Sequence, residues 1–242
     1  MPEYYIGTSG WHYEHWRGLF YPAELPKGKW LQFYSAYFNT VELNNSFYRL
    51  PSEGAFVNWE KSSPNNFIYA VKVNRFITHI KRLKNVQVPL QNFMSRVKLL
   101  MNKLGPLLYQ LPPNMKRNDK ALEDFLAILP YYHRHVFEFR NESWLSDNIF
   151  DLLRRYGAGF CIFDMPSFTS PLVATADFAY IRFHGSTGLY WSCYTDEELF
   201  SWSRQIIELG RELKAVYIYF NNDAEAYAVM NAQKLKEMLT GG

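Results

Sequence analysis

Eight short apolar segments alternate with segments of helical periodicity along this chain, and that alternation is the strongest constraint on its fold. Residues 4–9, 40–44, 67–74, 106–111, 135–140, 159–164, 179–184 and 215–221 read as strands. Most are rich in aromatic or β-branched residues and end in Gly, Pro, Asn or Asp. Helical stripes fit between them at 30–38, 89–104, 119–129, 147–156, 196–209 and 224–239. Asp119, Asp147 and Asp196 stand where caps or first-turn acids are expected. Strands joined through helices by short links form a parallel sheet. Eight of them in 242 residues match the size of one (β/α)8 TIM barrel, so an α/β fold with a single TIM-barrel domain over residues 1–242 is expected. Only 14 residues, 165–178, join strands six and seven. They include Pro166, Ser167, Thr169, Ser170 and Pro171, so an irregular connection rather than a helix is expected there.

Side chains on a strand alternate between its faces, so polar residues two apart share a face. Glu42 shares one with Asn44, Lys72 with Asn74, Glu138 with Arg140, and Arg182 with His184. Gln110, Asp164 and Asn221 extend the inward set to strands four, six and eight. All lie at C-terminal strand ends, where barrels of this kind keep their chemistry. The carboxylates Glu42, Glu138 and Asp164 nearly balance the cations Lys72, Arg140 and Arg182. Buried charges persist when paired, but such a ring stabilises poorly compared with apolar packing, which favours a ligand site.

Arg140 and Arg182 offer forked donors for phosphate or carboxylate. A lysine among other cations has a lowered pKa and suits a base or nucleophile, which makes Lys72 a catalytic candidate. Glu42, Glu138 and Asp164 are candidate acid–base residues, and His184 and His79 candidate proton carriers. Trp11, Tyr48, Trp144 and Tyr190 lie in loops after strands and are candidates to stack on substrate. The glycine loop around Gly185 and Gly188 follows strand seven, a frequent phosphate-binding place in barrels. Glu42, Glu138, Asp164 and His184 would give a divalent metal an oxygen-rich site with one nitrogen. Three cations in the same ring oppose a dication, and no HExxH or CxxC spacing occurs, so no metal ligand is assigned.

Composition narrows the class. Hydrophobic residues make up 48% and charged residues 20%, as in ordinary globular proteins. No apolar run suits a bilayer, and the N-terminus lacks the pattern of a secretory signal. Cys161 falls in a strand and Cys193 in a loop, which is no disulfide framework, so a reducing cytoplasm is the expected location. Residues 61–118 hold 11 basic residues and no acidic one, leaving 15 basic against all 23 acidic elsewhere. A positive field on one side suits anionic partners, small molecules or nucleic acid.

The segments IGTSGWHYEHWRGLFYP, YFNTVELNNSFYRLP, ITHIKRL, KLGPLLYQLPP, EFRNESW, YIRFHG and YFNND followed by NAQKL resemble the domain of unknown function 72 family, also called YecE-like. The likeness runs from Ile6 to about Leu235 and implies a TIM barrel, without a reaction to carry over. Asn141 stands where the family often has a histidine after EFR, so the likeness implies no proton transfer at that position. The leading expectation is a barrel enzyme acting on an anionic, phosphate-bearing substrate. The alternatives are a sequence-independent nucleic-acid-binding or processing protein, and a barrel with a vestigial site.

Overall fold

The computed structural model describes residues 1–166 and 168–241. Its centre is a parallel sheet of eight strands. These are β1 (Glu3–Thr8), β2 (Thr40–Leu43), β3 (Ile68–Lys72), β4 (Leu104–Leu111), β5 (His135–Phe139), β6 (Gly159–Asp164), β7 (Phe178–Phe183) and β8 (Ala215–Phe220). Hydrogen-bonded ladders run from β2 in chain order to β8, and β8 pairs in turn with β1. The β1–β2 seam has one bridge, Ser9 to Glu42, so the barrel is nearly closed. Gly7 lets the strands approach, since a Cβ there would lie 2.2 Å from the Thr40 carbonyl oxygen. The Tyr34 hydroxyl accepts from the Thr8 amide at 2.9 Å and donates to the Thr40 carbonyl at 3.1 Å. One side chain thereby satisfies backbone groups that a ladder would otherwise serve.

Helices lie outside: α1 (Trp30–Tyr37), α2 (Asn45–Tyr48), α3 (Glu53–Ser62), α4 (Gln87–Val97), α5 (Asp119–Leu126), α6 (Asp147–Arg155), α7 (Asp196–Gly210) and α8 (Tyr227–Thr240). Apolar stripes such as Ile149, Phe150, Leu152 and Leu153 of α6 are buried in the layer between helices and strands. Asn118 caps α5 by accepting from the Ala121 amide, and Thr195 with Glu198 forms a capping box on α7. Asp119, Asp147 and Asp196 are accordingly first-turn acids, next to the caps.

Helix α3 has no counterpart in the sequence reading, because only Phe56 of its ten residues is buried and its apolar stripe is thin. The helix expected over 89–104 ends at Val97 and continues as a tighter turn, Lys98–Lys103, with Met101 at φ 52°. The physical reason is Lys103, whose buried ammonium donates to the carbonyls of Glu60 and Ser63 at the C-terminal end of α3. A cation at that end meets carbonyls with no helical partner. Between β6 and β7 the described residues form no helix, as expected, and Ser167 of that connection lies outside the described residues.

Inside the barrel, small and large side chains complement one another. Ala70, Leu108, Val136, Cys161 and Ala215 make room for Phe178, Tyr180, Tyr217 and Tyr219. The lower core is therefore filled, and the polar residues begin one layer above it.

Candidate functional site

Two carboxylates and two guanidinium groups form the floor of the barrel mouth. Arg182 donates from one terminal nitrogen to Glu138 at 2.7 Å and from the other to Glu42 at 2.8 Å. Glu42 also accepts from the Ser9 hydroxyl at 2.7 Å and the Tyr180 hydroxyl at 2.6 Å. Glu138 accepts from Gln110 at 2.9 Å and from the Nε of Arg140. Glu42 and Glu138 are fully buried and Arg182 is 1% exposed. Burial opposes ionisation of Glu138, but Arg140 and Arg182 outweigh it and hold the carboxyl well below the usual range. Glu42 is held down likewise, against burial, by Arg182 and by the Tyr180 and Ser9 hydroxyls. Both are ionised acceptors, each holding three hydrogen bonds. Arg182 Nε is buried without a partner.

His184 sits beside this floor with no exposed surface. Its Nε2 lies 2.8 Å from a terminal nitrogen of Arg140, which can only donate, so Nε2 is the acceptor. The proton of the neutral ring is then on Nδ1, 3.0 Å from the Asn221 amide, which must present its oxygen. Burial, Arg182 and Arg140 keep His184 neutral far below the usual histidine range.

Lys72 occupies the next level up. Its ammonium lies 4.2 Å from the centroid of the Phe47 ring on α2 and, among the described residues, within 4.0 Å of no carboxylate. Burial and then Arg182 lower its pKa to about 8, against the pull of Glu138 and Glu42. Ser46, also on α2, donates to the Lys72 carbonyl at 2.6 Å and fixes helix and strand together. A π-helical turn, Phe76–Ile80, brings the His79 ring edge-on to Phe47 at 4.9 Å. Burial and Lys72 lower the pKa of His79 to about 4. Arg140 stacks on Phe163 at 4.8 Å and donates to the Met165 sulfur at 2.8 Å.

Several expected site residues stand elsewhere. Asp164 is paired in register with Phe183 of the outer layer, whereas its neighbour Phe163 is paired with Arg182. It therefore faces outward, accepts from Thr169 at 2.7 Å and Tyr194 at 2.9 Å, and does not join the ring. Assigning it inward misjudged the parity of β6, whose inner residues at the mouth are Phe163 and Met165. Trp144 is fully buried, stacked on Phe139 at 4.9 Å with its indole donating to the Met115 carbonyl, and is a packing residue. Asn74 is taken up by its own turn, donating to Ser46 and accepting from the Phe76 amide. The glycine loop is not an open phosphate cradle, because the amides of Thr187 and Gly188 are bonded to the Ser192 hydroxyl. It coils tightly: a Cβ on Gly185, at φ 104°, would lie 2.3 Å from the Gly188 carbonyl oxygen. Its outcome is to set Tyr190, at φ 70°, with its ring 5.6 Å from His184.

Tyr190 is 43% exposed and Tyr48 73% exposed at the rim. Trp11 lines a separate cleft of about 290 Å³ with Tyr13, Leu43, Asn44 and Trp59. The Asn44 Oδ1 is buried without a partner. Because Asp164 faces away and the other three expected metal ligands are engaged by donors, these four residues do not make a metal-ligand set. The sequence reading missed Ser9 and Tyr180, although both share the inward parity of Glu42 and Arg182 along their strands.

A nearly closed eight-stranded parallel barrel with a polar C-terminal mouth defines a TIM-barrel protein. The family described as "Protein of unknown function DUF72" matches residues 5–242, and the chain belongs to that family. It is 26% identical over 97% of its length to the UPF0759 protein YunF of Bacillus subtilis, covering 94% of that protein. A solved DUF72 family protein from Thermotoga maritima superposes with a TM-score of 0.90 at 32% identity, covering 98% of this chain and 99% of the other. A second, from Enterococcus faecalis, superposes with a TM-score of 0.83 at 20% identity over 98% of this chain and 95% of the other, a likeness of fold.

Proposed function

We propose that this protein is an enzyme that binds an anionic, phosphate-bearing small molecule at the C-terminal mouth of the barrel, with Lys72 and Arg140 as its cationic contacts. The observation that carries the reading is the state of Lys72. Both nearby carboxylates are ion-paired with arginines, so the amine is left on an aromatic face with no counter-ion among the described residues. With His184 neutral, Lys72, Arg140 and Arg182 outnumber Glu42 and Glu138 by one charge. An anion would supply the missing partner in a poorly solvated site. In this reading Glu42, Glu138, Arg182 and His184 are the rigid floor. Lys72 is the acid–base or nucleophilic group, and Tyr48, Tyr190 and His79 border the substrate.

The nucleic-acid reading draws less support. Within the basic 61–118 segment, Lys72 points inward, Lys103 is buried on carbonyls, and Arg96 and Arg117 are paired with Glu53 and Asp119.

Thermal unfolding in millimolar phosphate, sulfate and acetate tests the reading. Phosphate is expected to raise the Tm of the wild type, because a ligand of the native state stabilises it by mass action. The rise should vanish in Lys72→Met and in Arg140→Gln. Equal stabilisation of wild type and both variants would refute a phosphate site at the mouth.

A further inference from the structure

We propose that Lys72 forms an imine with its substrate, which is therefore an aldehyde or ketone carrying an anionic group. This rests on the reading of the mouth as an anion site and names the substrate class for it.

Geometry is the first argument. Lys72 is the one lysine on the inner face of the barrel strands, and it is partly accessible at the mouth. Its amine touches the flat, apolar face of Phe47 rather than a carboxylate. An ion-paired lysine would lose its partner on becoming neutral; this one has none to lose. The floor carboxylates each accept three bonds, from Arg182, Tyr180 and Ser9 at Glu42 and from Arg182, Arg140 and Gln110 at Glu138, so neither forms an ion pair with the amine. Arg140 provides the second contact: its Nε and one hydrogen of each terminal nitrogen serve Glu138, Met165 and His184, which leaves one hydrogen on each terminal nitrogen for phosphate or carboxylate, and its plane is held on Phe163.

The electrostatics agree with the geometry. With a pKa of about 8, the amine is mostly a cation at pH 7, and the free amine rises from about a tenth there to about half at pH 8, far more than for an ordinary lysine. A desolvated lysine beside other cations is the ordinary arrangement for an amine nucleophile. The neutral nitrogen attacks the carbonyl carbon and its proton passes to the oxygen. The carbinolamine loses that oxygen as water, and the nitrogen keeps its remaining proton as a protonated imine once one further proton is taken from solvent. No oxidant or reductant is needed.

The probe is pyridoxal 5′-phosphate, an aldehyde with a phosphate. Wild-type protein is incubated with a small excess at pH 8, reduced with borohydride, and mapped by peptide mass spectrometry. Lys72 is expected to be modified about tenfold faster than exposed lysines. The larger unprotonated fraction supplies that gain, and lower basicity gives part of it back. Excess inorganic phosphate should slow the modification, Arg140→Gln should slow it further, and Lys72→Arg should abolish that adduct. Lys72→Met serves if the arginine variant is poorly folded. If phosphate raises the wild-type Tm but Lys72 reacts no faster than exposed lysines, the imine is overturned and the anion site stands. If Lys72 reacts fast but phosphate neither slows it nor raises the Tm, the anionic half of the substrate class is overturned. Neither effect would overturn both.

Discussion

Glu138 shows how burial decides the role of a residue whose chemistry alone is ambiguous. A carboxylate at a barrel mouth reads as an acid or base, but this one accepts from Arg182, Arg140 and Gln110 and has no exposed surface. An ion so saturated is poorly placed to exchange protons during turnover. Removing its charge leaves Arg182 with one carboxylate in a low-dielectric site. Glu138→Gln is therefore expected to cost about 3–5 kcal/mol of stability. Urea denaturation of wild type and variant measures it, and a loss below about 1 kcal/mol would mean that water screens the floor. Lys72, one level up, has the opposite character: no ion-pair partner among the described residues, partial access and a depressed pKa. That contrast is why the reactive role is assigned to the lysine and the structural one to the glutamates.

At the scale of elements, the β1–β2 seam is where the barrel depends on a helix side chain. The other strand neighbours share ladders; this pair has one bridge and the Tyr34 hydroxyl between Thr8 and Thr40. Tyr34→Phe keeps the packing and leaves a buried amide and carbonyl without that partner. A loss of about 1–3 kcal/mol is expected, the usual cost of unsatisfied buried polar groups. Amide hydrogen exchange should also accelerate first at Thr8 and at Gly10, whose amide donates across the seam to the Glu42 carbonyl. Unchanged exchange at the seam would show that the strands close without the hydroxyl. The strand pattern made most of these elements legible. It missed α3, whose thin stripe buries only Phe56, and ran α4 on past Val97, because the turn there serves Lys103 from a different element.

For the whole molecule, the neutral histidines set the acid limit, His135 and His184 buried and His79 half-buried. His135 donates from Nε2 to the Pro130 carbonyl, and its Nδ1 lies 3.1 Å from the Tyr109 hydroxyl. Burial lowers its pKa to about 4, His79 is likewise lowered to about 4, and His184 is lowered well below the usual range. A histidine binds its proton in the unfolded chain near pH 6.5. Between that pH and about 4 the unfolded state holds more protons, so stability falls as pH falls. His135 alone accounts for about 3 kcal/mol of that fall, summed from pH 6.5 to 4. Urea midpoints from pH 7 to 4 should fall steadily in the wild type and less steeply in His135→Gln. A flat wild-type profile above pH 4.5 would contradict the burial of these rings. No described helix is long and apolar enough to cross a membrane.

What the sequence by itself determined is the alternation of strands and helices, and with it the barrel, because side-chain periodicity is a local property of the chain. The same periodicity placed Glu42, Lys72, Gln110, Glu138, Arg140, Arg182, His184 and Asn221 toward one mouth. It erred at Asp164, where the strand is apolar on both faces and offers no alternation to read. Only tertiary structure decided which of these residues are floor and which are reachable. Pairing Arg182 with two glutamates, or leaving Lys72 on Phe47, depends on distances between strands far apart in the chain. Burial and ionisation follow from those distances, so the chemistry of the mouth is a property of the closed barrel.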